Sequence, residues 1–370
     1  MAREAAYRMS FDVAIGRVLG GMRFAFDFRA GAGLTAVLGP SGAGKTTLMD
    51  MIAGIGQPDS GRIAVGGRTL YDRAGGIAVP IEERRCGYIF QDGRLFPHLN
   101  VRDNLDYGAR LAGGRIPPIG FDALVDLLGL RALLDRKPRT LSGGEARRVA
   151  IGRALLGCPA FLLMDEPLTG LDGEMKLDVI AMIAELRDRL PLPILLVSHD
   201  RDEVERLADN IVLVDEGAVI AAGEANAILS DLSLPLARAG DALVILKAAP
   251  VGYDADYDIT TCRIGETFLQ VPGRWDADPL VRLRIRAADV TLSKTETVDS
   301  ALNHISARIV AAEHTRTAQM RVVLSLGDGE DGPRLLSSIT RKSWDRLELA
   351  VGDGVEAAIK AAALAERRRG

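Results

Sequence analysis

Residues 39–47 read GPSGAGKTT, which fits the spacing G-x-x-x-x-G-K-[ST]. Glycines here let consecutive backbone N–H groups turn inward without a Cβ clash. A helix beginning at the lysine adds partial positive charge. Such a loop is built to hold a chain of phosphates. Gly39, Pro40, Ser41, Gly42, Ala43, Gly44, Lys45, Thr46 and Thr47 form the expected cradle. Lys45 is expected to reach the outer phosphates of ATP, and Thr46 to hold the accompanying Mg²⁺.

Three further points carry chemistry that fits a phosphate loop. Residues 161–167 read FLLMDEP, an apolar strand ending in two carboxylates. Asp165 at the strand end is expected to face Mg²⁺. Glu166, one residue on, points elsewhere and suits a general base acting on water. A second apolar run, 194–197, ends in Ser198-His199-Asp200. A strand-end histidine in a parallel α/β sheet lies on the ligand side, where His199 would bond the γ-phosphate or orient the water. Gln91, after the run 87–90, is a neutral amide able to meet Mg²⁺ or the water. Taken alone, His199 and Gln91 are each ordinary loop residues.

The positioning elements follow from pattern. Residues 34–38 form a buried strand before the loop, and Leu48, Met49 and Ile52 give helical spacing after it. Residues 7–13 and 22–28 alternate apolar and polar, as half-buried antiparallel strands do. A helical insert, 101–111 and 121–128 around a breaker at 113–118, separates Gln91 from residues 141–145, LSGGE. Ser142, Gly143 and Gly144 stand just before a helical pattern at 149–156, so they present free N–H groups at a positive helix end. A helix at 201–208, strands at 211–214 and 218–222, and a short helix at 225–229 follow. After Pro235 the texture changes to short alternating stretches at 243–247, 267–271, 281–285, 307–310 and 320–326, which reads as a small β-barrel. The basic end, 366–370, reads as a solvated tail.

The chain has 370 residues, 48% of them hydrophobic, and a formal net charge of −4 from 46 basic and 50 acidic residues. That balance does not suggest a nucleic-acid partner. Three cysteines, Cys86, Cys158 and Cys262, show no metal spacing and fit a reducing compartment. No apolar run approaches the ~20 residues that span a bilayer. Nor does the N-terminus carry the apolar core of a secretory signal. The expectation is a cytosolic chain that meets membranes only through partners.

Over about residues 1–230 the order and spacing of these motifs resemble the ATP-binding subunits of ABC transporters. The resemblance implies an α/β fold: a P-loop ATPase domain with a RecA-like core, an antiparallel β-subdomain and a helical subdomain, then a small OB-like β-barrel. It implies domains at 1–234, 235–297 (linker and first barrel strands) and 298–370. It assigns Gln91 to the Q-loop, 168–172 (LTGLD) to the D-loop and His199 to the H-loop. It also implies a homodimer, in which Ser142, Gly143, Gly144 and Glu145 of one copy face the γ-phosphate of ATP held by the other. Three departures stand out. Glu145 replaces the commoner glutamine, which should matter little; Thr169-Gly170 replaces Ser-Ala; and no adenine-stacking aromatic falls at 16–18.

Residues 90–105, FQDGRLFPHLNVRDNL, resemble the molybdate-importer branch especially. Phe96 and Pro97 would border the groove where a membrane subunit inserts a short helix, or else are core residues. Residues 300–310 and 338–353 resemble the two halves of the oxyanion-binding Mop fold. There Ser300, Asn303 and Ser343 fall on positions expected to face molybdate or tungstate, meeting across the barrel or a dimer seam. An arginine is usual beside that asparagine, and here the residue is Leu302. The alternative is a purely structural barrel that stabilises the dimer. The implied partners are two integral membrane permease subunits and, indirectly, a periplasmic substrate-binding protein. The implied place is the cytoplasmic face of the inner membrane. Importers of sulfate, iron or sugar remain the alternative within the class. Soluble ABC ATPases acting on ribosomes or DNA usually carry two cassettes or long coiled coils, and this chain has neither.

Overall fold

The computed structural model describes residues 10–275, 280–295, 299–315, 318–327, 329–330 and 332–364. The strand expected at 7–13 begins outside these residues, and the tail at 366–370 lies wholly outside them. Contacts divide the chain into two compact units, Met1–Glu224 and Ala225–Gly370.

In the first unit, strands β1 (Phe11–Leu19) and β2 (Met22–Ala30) form a hairpin. Phe24, Phe26 and Phe28 alternate into the core, as the sequence pattern requires. Next come β3 (Leu34–Leu38), α1 (Lys45–Ala53), β4 (Ser60–Val65), β5 (Arg68–Asp72), β6 (Ile77–Ala78) and β7 (Cys86–Ile89). The helical insert is α2 (Val101–Leu111) and α3 (Phe121–Leu127), followed by α4 (Gly143–Leu156). Then β8 (Phe161–Asp165), α5 (Gly173–Arg189), β9 (Ile194–Ser198), α6 (Arg201–Leu207), β10 (Asn210–Asp215) and β11 (Ala218–Glu224) complete the unit.

All eleven strands join one sheet, in the order β6-β5-β4-β1-β2-β11-β10-β3-β9-β8-β7. Five neighbours, β10-β3-β9-β8-β7, run parallel. In register, Leu38 lies beside Ser198, Val197 beside Asp165 and Met164 beside Ile89. The phosphate loop, His199, Glu166 and Gln91 therefore all leave the same edge of the sheet, where parallel α/β sheets bind ligands. Apolar runs with no alternation form these strands because both faces are covered; β8 and β9 are buried throughout.

Two close approaches fix the loop. A Cβ on Gly39 would lie 2.0 Å from the carbonyl oxygen of Val214 on β10, so only glycine fits there. Gly44 has φ +92°, and a Cβ there would strike the Phe24 ring at 2.5 Å. The far end of α1 is held by Arg84, which is buried. Its guanidinium donates to the Met51 and Ile52 carbonyls, each at 2.8 Å, and to Val79 O at 2.8 Å. These bonds satisfy carbonyls that a helix end leaves open.

The second unit begins with α7 (Ala225–Ser230) and α8 (Pro235–Arg238). Its strands are β12 (Leu243–Asp254), β13 (Ile259–Ile264), β14 (Thr267–Pro272), β15 (Val281–Arg286), β16 (Val290–Ser293), β17 (Asn303–His314), β18 (Gln319–Leu326), β19 (Arg334–Thr340) and β20 (Gly354–Ile359), with α9 (Arg341–Arg346) after β19. They form a four-stranded sheet, β14-β13-β12-β15, and a five-stranded one, β16-β20-β17-β18-β19. Every pairing among them is antiparallel. The unit begins ten residues before the break that sequence texture suggests at 234/235. Asn226 is the reason: its amide donates to Ile245 O and Arg334 O and accepts from Arg334 N, which ties α7 to β12 and β19.

Asn303 joins the two sheets. Its side chain accepts from Gln270 N at 2.6 Å and donates to Gln270 O at 3.1 Å, copying a strand pairing onto β14. The residue is 2% exposed. Both bonds are lost in Asn303→Ala, and two backbone groups of Gln270 are left without them. The expected cost is about 2–4 kcal/mol. Both tryptophans, Trp275 and Trp344, belong to this unit, so tryptophan fluorescence during urea unfolding reads it alone. A lower midpoint is expected; an unchanged midpoint would mean that the bridge contributes nothing.

Candidate active site

The site starts from α1. Its N-cap, Gly44, makes no side-chain cap bond, and its first turn holds no acid. The first-turn N–H groups are thus free of side-chain acceptors, as a phosphate site needs. Lys45 is buried, and its Nζ donates to Gly39 O and Pro40 O, each at 2.8 Å. Burial lowers its pKa, and the charges of Glu166 and Asp165 pull the other way. The lysine thus spans its own loop, at the place where an incoming phosphate offers it a charged acceptor.

Thr46 Oγ1 donates to Asp165 Oδ2 at 3.2 Å. Burial raises the Asp165 pKa; the Thr46 bond opposes this, and Glu166 and Asp50 add to it. Burial thus disfavours the ionised carboxylate despite the nearby Lys45 charge, and a bound cation would offset that cost. A hydroxyl and a carboxylate oxygen side by side are hard donors that suit Mg²⁺ completed by phosphate and water. Gln91 is exposed, two residues beyond β7 at the same sheet edge.

Glu166 takes a left-handed backbone conformation, φ +45°, directly after β8. This turns its side chain away from that of Asp165. Oε1 meets His199 Nδ1 at 3.1 Å, and Oε2 accepts from Thr169 Oγ1 at 3.0 Å. Glu166 keeps 19% side-chain exposure and His199 50%, so water reaches the pair. Glu166, His199, Asp165, Thr46 and Lys45 are therefore gathered at one edge, as the sequence predicts.

The signature residues lie on another element. Ser142 caps α4: its Oγ accepts from Glu145 N at 3.2 Å, while its own N–H donates to Glu145 Oε2 at 2.7 Å. This is a capping box. A Cβ on Gly143 would lie 3.1 Å from Leu171, and one on Gly144 3.6 Å from Met175, so the motif packs beside the D-loop and the start of α5. At residues 16–18 of β1, where no aromatic is present, Val18 is 62% exposed.

Two residues with a part in this site were given no role in it from the sequence. One is Arg147 on α4, buried, which donates to Phe90 O at 2.9 Å and Thr169 O at 3.4 Å. It ties the signature helix to the strand end before Gln91 and to the D-loop, and nothing in its sequence context announces this. The other is Thr169, visible only as a departure from the usual D-loop.

In the second unit, one chain does not bring Ser300, Asn303 and Ser343 together. Ser300 and Asn303 stand at the start of β17. Ser343 lies on α9, beside Gln319 and Thr340, near the far end of that 12-residue strand. The two positions are separated by most of the length of this strand, which at a rise of about 3.3 Å per residue is on the order of 30 Å. Asn303 is also committed to Gln270, and the Ser343 hydroxyl bonds Thr340 Oγ1 at 2.9 Å. A convergence across a single barrel is thereby corrected.

Comparison with known proteins agrees with the first unit's geometry. The ABC transporter family model matches residues 23–169, and the TOBE domain model matches 299–365. Two curated relatives are named molybdenum import ATP-binding protein ModC. The one from Rhodopseudomonas palustris (strain HaA2) is 44% identical, over 95% of this chain and 94% of its own length. The one from Rhodospirillum rubrum is 44% identical, over 95% and 96%. The chain belongs to the family of molybdenum import ATP-binding proteins, within the ABC transporters. Among solved structures, cbiO1 from Clostridium perfringens, part of the ABC transporter complex cbiONQ, is 27% identical. It covers 61% of this chain and 92% of its own, with a TM-score of 0.52. The chain is an ABC ATPase followed by a TOBE domain, and among the described residues no helix is long and apolar enough to cross a membrane.

Proposed function

We propose that this ATPase powers import of molybdate, with tungstate as a related cargo, through partner permease subunits. The observation that carries the reading is the gathering of Lys45, Thr46–Asp165 and Glu166–His199 at one sheet edge, in a chain related over nearly its whole length to proteins named for molybdenum import. In this reading Lys45 leaves its loop carbonyls for the outer phosphates of ATP. Thr46, Asp165 and Gln91 would hold Mg²⁺, which would supply charge neutralisation on the phosphates. Glu166 takes the proton of the attacking water, and His199 holds its carboxylate and faces the γ-phosphate. Ser142, Gly143 and Gly144 serve the ATP of a second copy, so that two chains clamp two ATP.

Partner docking falls to residues 96–98. Asn104, fully buried, accepts from Phe96 N at 2.9 Å and donates to Phe96 O, Leu99 O and Asn100 O at 3.2, 3.3 and 2.9 Å. That network holds the loop rigid. Phe96 packs on Tyr107 at 4.5 Å between ring centres, and Pro97, His98 and Tyr107 are exposed. A rigid apolar ledge of this kind suits a short helix from a permease, at the cytoplasmic face of the inner membrane. A periplasmic binding protein would act further upstream. In the tail (298–370), oxyanion binding between two copies is part of the same reading.

Deletion of the gene in its host is expected to abolish uptake of labelled molybdate at nanomolar concentration. The wild-type gene, but not a Glu166→Gln copy, should restore it. Intact molybdate uptake with loss of sulfate, iron or sugar uptake would transfer the chain to another cargo.

A further inference from the structure

We propose that Thr169 is a positioning residue for hydrolysis: its hydroxyl fixes the Glu166 carboxylate from the side opposite His199. The proposal rests on the reading of Glu166 as the base. The two carboxylate oxygens are held by donors from different loops. Oε1 is held by His199, after β9, and Oε2 by Thr169, after β8. The terminal torsion of a glutamate is broad and roughly two-fold, so a single anchor leaves the carboxylate plane free to swing. A second anchor on the other oxygen fixes the plane. Each oxygen still has a lone pair for the water, because each carboxylate oxygen accepts twice.

Thr169 is itself held for this task. Its N–H donates to Glu166 O at 3.2 Å, which closes a short turn around the base. Its carbonyl accepts from Arg147 at 3.4 Å, and the other arm of that buried guanidinium donates to Phe90 O at 2.9 Å. Gly170 follows with φ +78°, the left-handed conformation that lets the chain turn away. A β-branched residue has few χ1 choices, so the hydroxyl direction is set once the backbone is set. Serine there would keep the donor; valine would keep the shape and lose it.

The test uses the full chain and steady-state ATP hydrolysis with Thr169→Val, Thr169→Ser, Glu166→Gln and the double variant T169V/E166Q. Loss of alignment at a reacting group is expected to lower kcat of Thr169→Val about 10-fold, with KM for ATP within about two-fold of wild type. Thr169→Ser should keep at least about half of wild-type kcat. In the Glu166→Gln background the valine should add no further loss, because the carboxylate it acts through is gone. Wild-type kcat in Thr169→Val would overturn the proposal. So would equal impairment of the serine and valine variants, which would assign the effect to shape, or a full additional loss in the Glu166→Gln background. If Thr169→Val does not fold, Thr169→Ala carries the same readouts. Wild-type turnover by Glu166→Gln alone would remove the base reading itself, an outcome distinct from failure of the Thr169 contact.

Discussion

Glu166→Gln is expected to bind ATP as the wild type does and to turn it over at least ~100-fold more slowly. The amide keeps the volume and still accepts from Thr169 or meets His199, so the turn after β8 is expected to persist. What it loses is the ability to take a proton from water. Because ATP then stays bound, the variant should also accumulate as an ATP-loaded dimer, seen as a shift in size-exclusion chromatography only when ATP is present. Radiolabelled phosphate release and filter binding measure the two halves separately. Wild-type phosphate release would remove Glu166 from the mechanism.

Lys45→Ala is expected to lose ATP affinity by about 30-fold or more, because truncating one partner of a buried charged contact costs about 2–5 kcal/mol. Among the described residues Lys45 bonds only to loop carbonyls. The loss should therefore be larger for ATP than for adenosine, which has no phosphate to miss. Ser142→Arg should behave in the opposite way: ATP binding to the single chain intact, dimer closure blocked by bulk at the shared phosphate. Loss of the cap bond to Glu145 N should cost about 1 kcal/mol besides. A mixed dimer places both defects on one composite site and leaves the other intact, so mixing two inactive chains should restore turnover. Loss of ATP binding by the Ser142→Arg monomer would show that the signature serves its own chain's nucleotide.

The phosphate loop, both strand-end acids and His199 were legible in the sequence because each follows an apolar run with both faces covered. A run of that length beside turn residues fits a central strand of a parallel sheet, whose end falls at the ligand edge. Strand β2 was legible through the alternation of Phe24, Phe26 and Phe28, whereas the strand expected at 7–13 stops six residues short of the end of β1 at Leu19. Strands β4 (SGRIAV), β19 (RLLSSIT) and β20 (GVEAAI) were not. Glycine, serine and alanine blur their two-residue period, and their pairing partners fix them instead. The role of Asn303 was hidden for a related reason. A polar residue in a matched motif reads as a ligand contact, whereas its partner, Gln270, lies 33 residues away on another sheet. Thr169 showed only as an unusual letter; the bond to Glu166 needed the turn after β8 to exist first.

The capping box at Ser142 has a consequence for the clamp proposed here. In the open chain the Ser142 N–H is already occupied by the Glu145 carboxylate. The helix start thus carries its own anion, and docking of a partner's ATP is a swap of acceptors rather than a new bond. The driving force at this contact is only the difference between a phosphate oxygen and a carboxylate oxygen as acceptors. A negative side chain near the incoming γ-phosphate raises the threshold further. After hydrolysis the same carboxylate is at hand to reclaim the N–H, so the resting state restores itself without a donor ever standing bare. Glutamine could close the same capping box, so what glutamate adds in the proposed clamp is its charge: an anion already seated where the partner's phosphate is to dock.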